Sequence, residues 1–122
     1  MTDEEEEFNT NLWKETLDVL KDHNKKWNDV RWVGTQEFKI SKDNFETLAK
    51  KTNYDNGYGW QEVARDLIIA GNNWHMGRSE YDGSEEWSFF AGVEEPEEER
   101  HVEYLAIHAG HSGWESLSEL NK

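Results

Sequence analysis

Residues 72–90, with the sequence NNWHMGRSEYDGSEEWSFF, predict the fold more directly than any other part of the chain. Two turn signals, Asn-Asn at 72–73 and Asp-Gly at 82–83, each precede a segment in which apolar and polar residues alternate, beginning with Trp74 and Met76 in the first. Two-residue turns between alternating segments are typical of β-hairpins. We therefore expect these residues to form the last two strands of a three-stranded antiparallel meander.

The preceding segment, WQEVARDLIIAG at 60–71, fits two structures. Its apolar residues recur at helical spacing, but its last part is a short apolar run of the kind found in strands. Because hairpin signals follow directly, we interpret 60–65 as a helical turn and 66–70 as the first strand of the meander.

The rest of the chain adds helices and further strands. Helical spacing of apolar residues predicts a helix of about four turns over 10–27, capped by Thr10 or Asn9. Other signals predict two short strands or one bulged strand within 29–41, a helix to about Lys51 with a capping box of Asp43 and Glu46, a central strand over 101–109 and a short terminal helix from Trp114. This order predicts an α+β fold with helices packed on one face of an antiparallel sheet.

The length of 122 residues predicts one domain. We interpret 1–9 as an acidic disordered tail and 10–122 as a single α+β domain. Seven Trp, five Phe and four Tyr supply enough apolar area for a core although hydrophobic residues make up only 34% of the chain. Most of these rings should be buried, whereas Trp87, beside two glutamates, and Tyr58, in a glycine-rich loop, are expected to be exposed.

Charge restricts the possible partners. The chain has a net charge of -14 and no cysteine, and its acids concentrate in two runs at 3–7 and 94–99. Such a charge repels nucleic acid and favours a basic partner. No segment has the length and apolar character of a membrane span or of an export signal. We therefore expect a cytoplasmic protein that binds neither nucleic acid directly nor a membrane.

The residues that could carry chemistry do not form a recognised motif. Glu80, Asp82, Glu85 and Glu86 could hold a hard cation or act as a carboxylate pair, but their spacing matches neither use. The alternative of a small metal-binding or hydrolytic enzyme rests on three histidines and one glutamate, namely His101, His108, His111 and Glu103. His101 and His108 fall on opposite faces of a regular strand, which argues against a shared metal ion. We predict no metal, no cofactor and no catalytic residue.

One stretch carries a resemblance. Residues 54–90, YDNGYGWQEVARDLIIAGNNWHMGRSEYDGSEEWSFF, resemble the central part of small acidic accessory proteins of phages and prophages of Gram-positive bacteria, and EYDGSEEW is the most distinctive piece. The resemblance implies a phage origin and a site of action in the host cytoplasm. By analogy, phage proteins of this size and charge often inhibit CRISPR effectors, restriction enzymes or repair enzymes by occupying surfaces meant for nucleic acid.

These observations predict a non-enzymatic protein that binds, and so inhibits, a host protein with a basic nucleic-acid-binding surface. Acids would steer the association and aromatic rings would anchor it. The expected partner-binding residues lie in the hairpin and in the loop that follows it: Glu80, Asp82, Glu85, Glu86, Trp87, Glu94, Glu95, Glu97, Glu98 and Glu99. The other alternative is a structural or assembly protein of the virion.

Overall fold

The computed structural model of the chain describes residues 10–54, 61–81, 84–108, 111 and 113–122. The predicted tail at 1–9 lies outside the described residues. The helices are α1 (Leu12–Asp22), α2 (Lys42–Lys50) and α3 (Leu117–Leu120). The strands are β1 (Thr10–Asn11), β2 (Trp32–Gly34), β3 (Lys39–Ile40), β4 (Asn53–Tyr54), β5 (Ile68–Gly71), β6 (Trp74–Tyr81) and β7 (Ser84–Ala91). No helix in the described part of the chain combines the length and the apolar character needed to cross a bilayer.

Five strands form one antiparallel sheet in the order β3-β2-β5-β6-β7, and β1 pairs with β4 in a second, two-stranded sheet. The longest pairing joins β6 and β7 over eight residue pairs, from Trp74 opposite Ala91 to Tyr81 opposite Ser84. Asn73, between β5 and β6, adopts a left-handed conformation with a φ of 68°, which asparagine adopts more readily than most residues. The α+β class with an antiparallel sheet is confirmed.

Helices cover one face of the five-stranded sheet. Leu12 and Leu20 of α1 and Phe45 of α2 are buried in one cluster with Val33 and Met76 from the sheet. Ring contacts join the helical layer, since Trp27 lies 4.9 Å from Trp13 and 5.7 Å from Phe45 between ring centroids. The opposite face, here called the outer face, holds a smaller buried cluster of Trp32, Ile68 and Ala70, against which Val93 packs.

The helix boundaries differ from the sequence predictions. The side chain of Asn11, not Thr10 or Asn9, caps α1 by accepting a hydrogen bond from the N–H of Lys14 at 3.1 Å. The helix ends at Asp22 instead of 27, because the chain turns at Asn24, whose φ is 60°. Ser41 caps α2 by accepting from the N–H of Asn44 at 2.9 Å, so the predicted capping box of Asp43 and Glu46 is wrong.

The predicted helical turn at 60–65 is wrong for its described part, 61–65. Residues 62–64 instead pair with the chain near 106, and a turn follows at Arg65 and Asp66. The N–H of Ala64 donates to the carbonyl of Leu105 at 2.8 Å, and the N–H of Ile107 donates to that of Glu62 at 2.8 Å. Strand β5 begins only at Ile68. Trp60 lies outside the described residues.

The predicted central strand at 101–109 is also wrong over 101–108, where the structure has one isolated bridge, between Val63 and Ala106. Side-chain amides replace a ladder of backbone hydrogen bonds. The amide of Asn44 bonds both the N–H and the carbonyl of Val102, at 2.8 and 2.9 Å. Asn121 accepts from the N–H of Tyr104 at 2.9 Å and donates to its carbonyl at 2.8 Å.

Candidate functional site

The hairpin of β6 and β7 contributes two residues to a buried ionic cluster, which consists of Arg78, Glu85, Glu15 and Tyr54. Arg78 donates through Nη2 to Glu85 Oε2 at 2.7 Å and to Tyr54 Oη at 2.8 Å, and through Nη1 to Glu15 Oε1 at 3.3 Å. Tyr54 in turn donates to Glu15 Oε1 at 2.5 Å. One cation therefore joins α1, β4, β6 and β7.

The cluster pairs one buried cation with two carboxylates, and among the described residues Arg78 Nε has no hydrogen-bond partner. The side chains of Arg78 and Glu85 are 0% and 1% exposed. Burial alone would lower the pKa of Arg78, but Glu15 and the other cluster members outweigh it and raise that pKa. Burial raises the pKa of the Tyr54 phenol, against the effect of Arg78, so that Tyr54 remains a hydrogen-bond donor. Backbone N–H groups complete the shell of Glu85, with Glu62 donating to its Oε1 at 2.5 Å.

Trp87 belongs to the same buried face, so the prediction that it is exposed is wrong. Its side chain is 4% exposed, its Nε1 donates to Thr16 Oγ1 at 3.0 Å, and the Arg78 guanidinium lies 4.8 Å from its ring centroid. Strand alternation places Glu85 and Trp87 on the core face together, whereas Glu86, between them, points to the opposite side. Glu85 and Trp87 are therefore not part of the protein surface in this conformation.

The remaining predicted hairpin residues have different surroundings. Glu86 is exposed and Glu80 is half-buried. Asp82 lies outside the described residues, as does Tyr58. Of the hairpin residues predicted to bind a partner, Glu86 is the one that is exposed in the described structure.

The second group of predicted residues, Glu94, Glu95, Glu97, Glu98 and Glu99, is exposed as expected. We call residues 94–99 the acidic segment. Its backbone is held against β3: the N–H of Lys39 donates to the carbonyl of Glu98 at 2.8 Å, and Glu99 forms a parallel bridge with Lys39. The side chain of Lys39 also pairs with Glu95 at 2.6 Å. The segment therefore presents its carboxylates from a backbone anchored to the sheet.

The acidic segment forms one wall of a groove of about 710 Å³, here called the acidic groove. Five of the groove residues are glutamates: Glu37, Glu94, Glu95, Glu97 and Glu98. Glu37 comes from the turn between β2 and β3 and was not predicted. No local sequence pattern predicts that Glu37 belongs to the groove. The fold places its turn beside residues that lie almost sixty positions later in the chain.

The structure does not bring the two predicted acidic groups together. The acidic segment lies beside β3 and Glu86 lies on β7, and these are the two edge strands of the five-stranded sheet. Four interstrand spacings of about 4.8 Å separate β3 from β7, so the two edge strands lie about 19 Å apart.

The histidines considered as metal ligands form pairs. His101 contacts Glu103 at 2.6 Å, and His111 contacts Glu115 at 2.6 Å. The rings of His108 and His111 lie 4.1 Å apart, and His108 Nε2 is 2.9 Å from the carbonyl of Leu120. Across the described residues, no three or more metal-ligating side chains come together.

Comparison with protein-family models, with curated proteins and with solved structures gives no match to this chain.

Proposed function

We propose that this chain is a phage-type acidic protein that binds a host protein through that protein's basic, nucleic-acid-binding surface, and inhibits it by occupancy. The observation that supports this most is the acidic groove. Its glutamates are exposed, and the backbone that carries them is fixed by β3. Binding requires no chemistry from the chain itself.

The charge balance at the acidic segment favours a cationic partner. Lys39 pairs with Glu95 and Arg100 pairs with Glu98. In the described part of the chain, Glu94, Glu97 and Glu99 have no ion-pair partner. Arginine and lysine side chains of a partner would supply the missing cations, and those are the residues that contact phosphates in nucleic-acid-binding proteins.

Anchoring of the segment adds to this argument. A partner that binds a flexible acidic tail must order it, and ordering costs free energy that reduces affinity. Backbone hydrogen bonds of Lys39 with Glu98 and Arg100 hold the end of the acidic segment against β3, and the ion pair of Lys39 with Glu95 adds a contact near its start. Its negative potential would also raise the association rate with a basic surface at low ionic strength.

A pull-down from lysate of a Gram-positive bacterium tests the proposal. Immobilised wild-type protein and a matched variant with Glu94→Gln, Glu97→Gln and Glu99→Gln are eluted with stepped salt, and the eluates are identified by mass spectrometry. We expect wild type to retain a nucleic-acid-processing protein that salt releases, that DNA or RNA displaces, and that the variant retains poorly. Retention that is insensitive to salt and to competing nucleic acid would contradict the proposal.

A further inference from the structure

The two edges of the five-stranded sheet are built differently. The edge at β3 is two residues long and is closed by the backbone of the acidic segment, through Lys39 and Arg100. The edge at β7 is eight residues long. Strands of this length at an open edge form a template for another strand, and proteins usually protect them with lysine, proline, a bulge or a covering segment.

In the described part of the chain, the central part of β7 has none of these four protections, and the inward-pointing charge of Glu85, which also discourages edge pairing, lies near the beginning of the strand. Its sequence, SEEWSFFA, contains neither lysine nor proline, and its pairing with β6 is regular throughout. Among the described residues, no backbone group outside the hairpin hydrogen-bonds to β7. Within the described part of the chain, the outer edge of β7 is therefore an unpaired row of backbone donors and acceptors.

The register identifies which groups are unpaired. The residues that flank the two-residue connection between β5 and β6 exchange hydrogen bonds, and the antiparallel ladder alternates from there. On this alternation, His75 and its partner Phe90 bond each other across β6 and β7. The N–H and C=O groups of Trp87 and Phe89 then point away from the sheet. Their side chains pack inward, so a docked strand would contact their backbone.

We propose that the outer edge of β7 binds an extended, basic segment of a partner protein, which pairs with it as an additional strand. This mode of recognition uses main-chain hydrogen bonds for affinity and neighbouring side chains for selectivity. The inference goes beyond the acidic groove, which lies at the opposite edge of the sheet, and does not depend on it.

The side chains beside the edge select a basic segment. The charged residues of β7 are both acids, and Glu85 is neutralised by Arg78 while Glu86 is exposed. On the same face as Glu86, Phe90 is 46% exposed and stacks on His75 at 5.1 Å between centroids. A strand with a cation opposite Glu86 and an apolar residue opposite Phe90 complements this face. A second copy of the chain brings another net charge of -14 to the contact, which opposes self-pairing.

A synthetic peptide of defined sequence tests the inference directly. The capped peptide Thr-Val-Val-Thr-Val-Lys-Thr-Lys, paired antiparallel to β7, places valine opposite Phe90 and lysine opposite Glu86. Hydrogen exchange of the full chain, followed by NMR, reports the amides of Trp87 and Phe89. We expect the peptide at saturation to slow exchange at both amides by about tenfold or more, because they become hydrogen-bonded.

Two control peptides keep the test specific. The fully N-methylated peptide retains every side chain and charge but has no backbone N–H to donate to β7, and its methyl groups obstruct the approach of its carbonyls to the edge. We expect it to bind at least about tenfold more weakly. The peptide with glutamate in place of lysine should also bind weakly. The same protection should persist in the variant with Glu94→Gln, Glu97→Gln and Glu99→Gln, so that failure of the acidic groove and failure of the edge are distinguishable.

Four outcomes would overturn the inference. Binding without protection of the Trp87 and Phe89 amides, or equal binding of the N-methylated peptide, would mean that basic ligands bind by charge alone. No binding of the parent peptide would mean that the edge does not accept a basic strand. Protection of the two amides without peptide, increasing with protein concentration, would identify a second copy as the occupant.

Discussion

Glu85 in the hairpin and the glutamates of the acidic segment carry the same side chain in opposite surroundings. Glu85 faces the core, where Arg78 and two backbone N–H groups surround its carboxylate. Glu94, Glu97 and Glu99 face solvent from a backbone tied to β3. Since a buried charge needs a partner within the fold and an exposed one does not, acids of the first kind contribute to folding and those of the second remain available for binding.

Removal of the cation from the buried ionic cluster should have the largest effect. Arg78→Met leaves Glu85 buried without its counter-ion, and we expect a loss of about 3–5 kcal/mol in the free energy of unfolding, measured by urea denaturation. The control Arg100→Met changes an exposed arginine that is paired with an exposed glutamate, and should leave the urea midpoint close to that of wild type. Similar losses for both variants would mean that the buried cluster does not hold the fold together.

Two adjacent glutamates provide a sharper comparison. Glu85→Gln replaces the charged acceptor of Arg78, and we expect it to cost about 1–3 kcal/mol of stability in the same urea experiment. Glu86→Gln changes the next residue, which is exposed on the outer face, and should stay within about 0.5 kcal/mol of wild type. An equal effect of the two substitutions would contradict the placement of Glu85 in the core.

Two tryptophans allow the same comparison for aromatic residues. Trp87→Phe removes the hydrogen bond to Thr16 Oγ1 and part of a buried ring, and should cost about 1–2 kcal/mol in thermal or urea unfolding. Trp114→Phe changes a side chain that is 49% exposed, and should change stability by less than about 0.5 kcal/mol. Bulk solvent quenchers should also reach Trp114 and not Trp87. Strong quenching of Trp87 would show that the hairpin is open in solution.

Asp66 represents an intermediate case, since it is partly buried and accepts from the N–H of Leu117 at 2.8 Å. Burial raises its pKa above the ordinary value of 3.8, and the Leu117 N–H opposes the rise. Its contribution to stability is therefore fully present below pH 3.8 and is lost as pH rises through the folded-state pKa.

Asp66→Asn should remove this dependence, because asparagine does not titrate. The free energy of unfolding of the variant, relative to wild type, should therefore increase as pH rises from about 3.5 to about 6.5. Urea midpoints at several pH values measure it. A difference that stays constant or decreases over this range would contradict the raised pKa.

Local signals predicted the sheet better than the site. Turn residues and alternation act over a few neighbouring positions, so the pairing of β6 with β7 could be expected from 72–90 alone. The buried ionic cluster could not, because Arg78 lies 63 positions from Glu15 and 24 from Tyr54. Alternation did contain one unused signal: Trp87 shares a face with Glu85, so a buried Trp87 requires a buried Glu85.

The wrong prediction of a strand over 101–108 has a different cause. Val102 and Leu105 are buried three positions apart, a spacing that fits neither a regular strand nor its pairing. Backbone groups there bond the side-chain amides of Asn44 and Asn121. No pattern within the segment could reveal partners contributed by α2 and by the chain end.

We propose that the exposed acids of the acidic segment bind a basic protein surface. The most direct test measures, by calorimetry, the affinity of wild type and of the Glu94→Gln, Glu97→Gln, Glu99→Gln variant for the captured partner at low and at high salt. We expect the variant to bind at least about tenfold more weakly at low salt, with a smaller difference at about 0.5 M salt and an unchanged urea midpoint. Equal affinity of both proteins at low salt would contradict the claim.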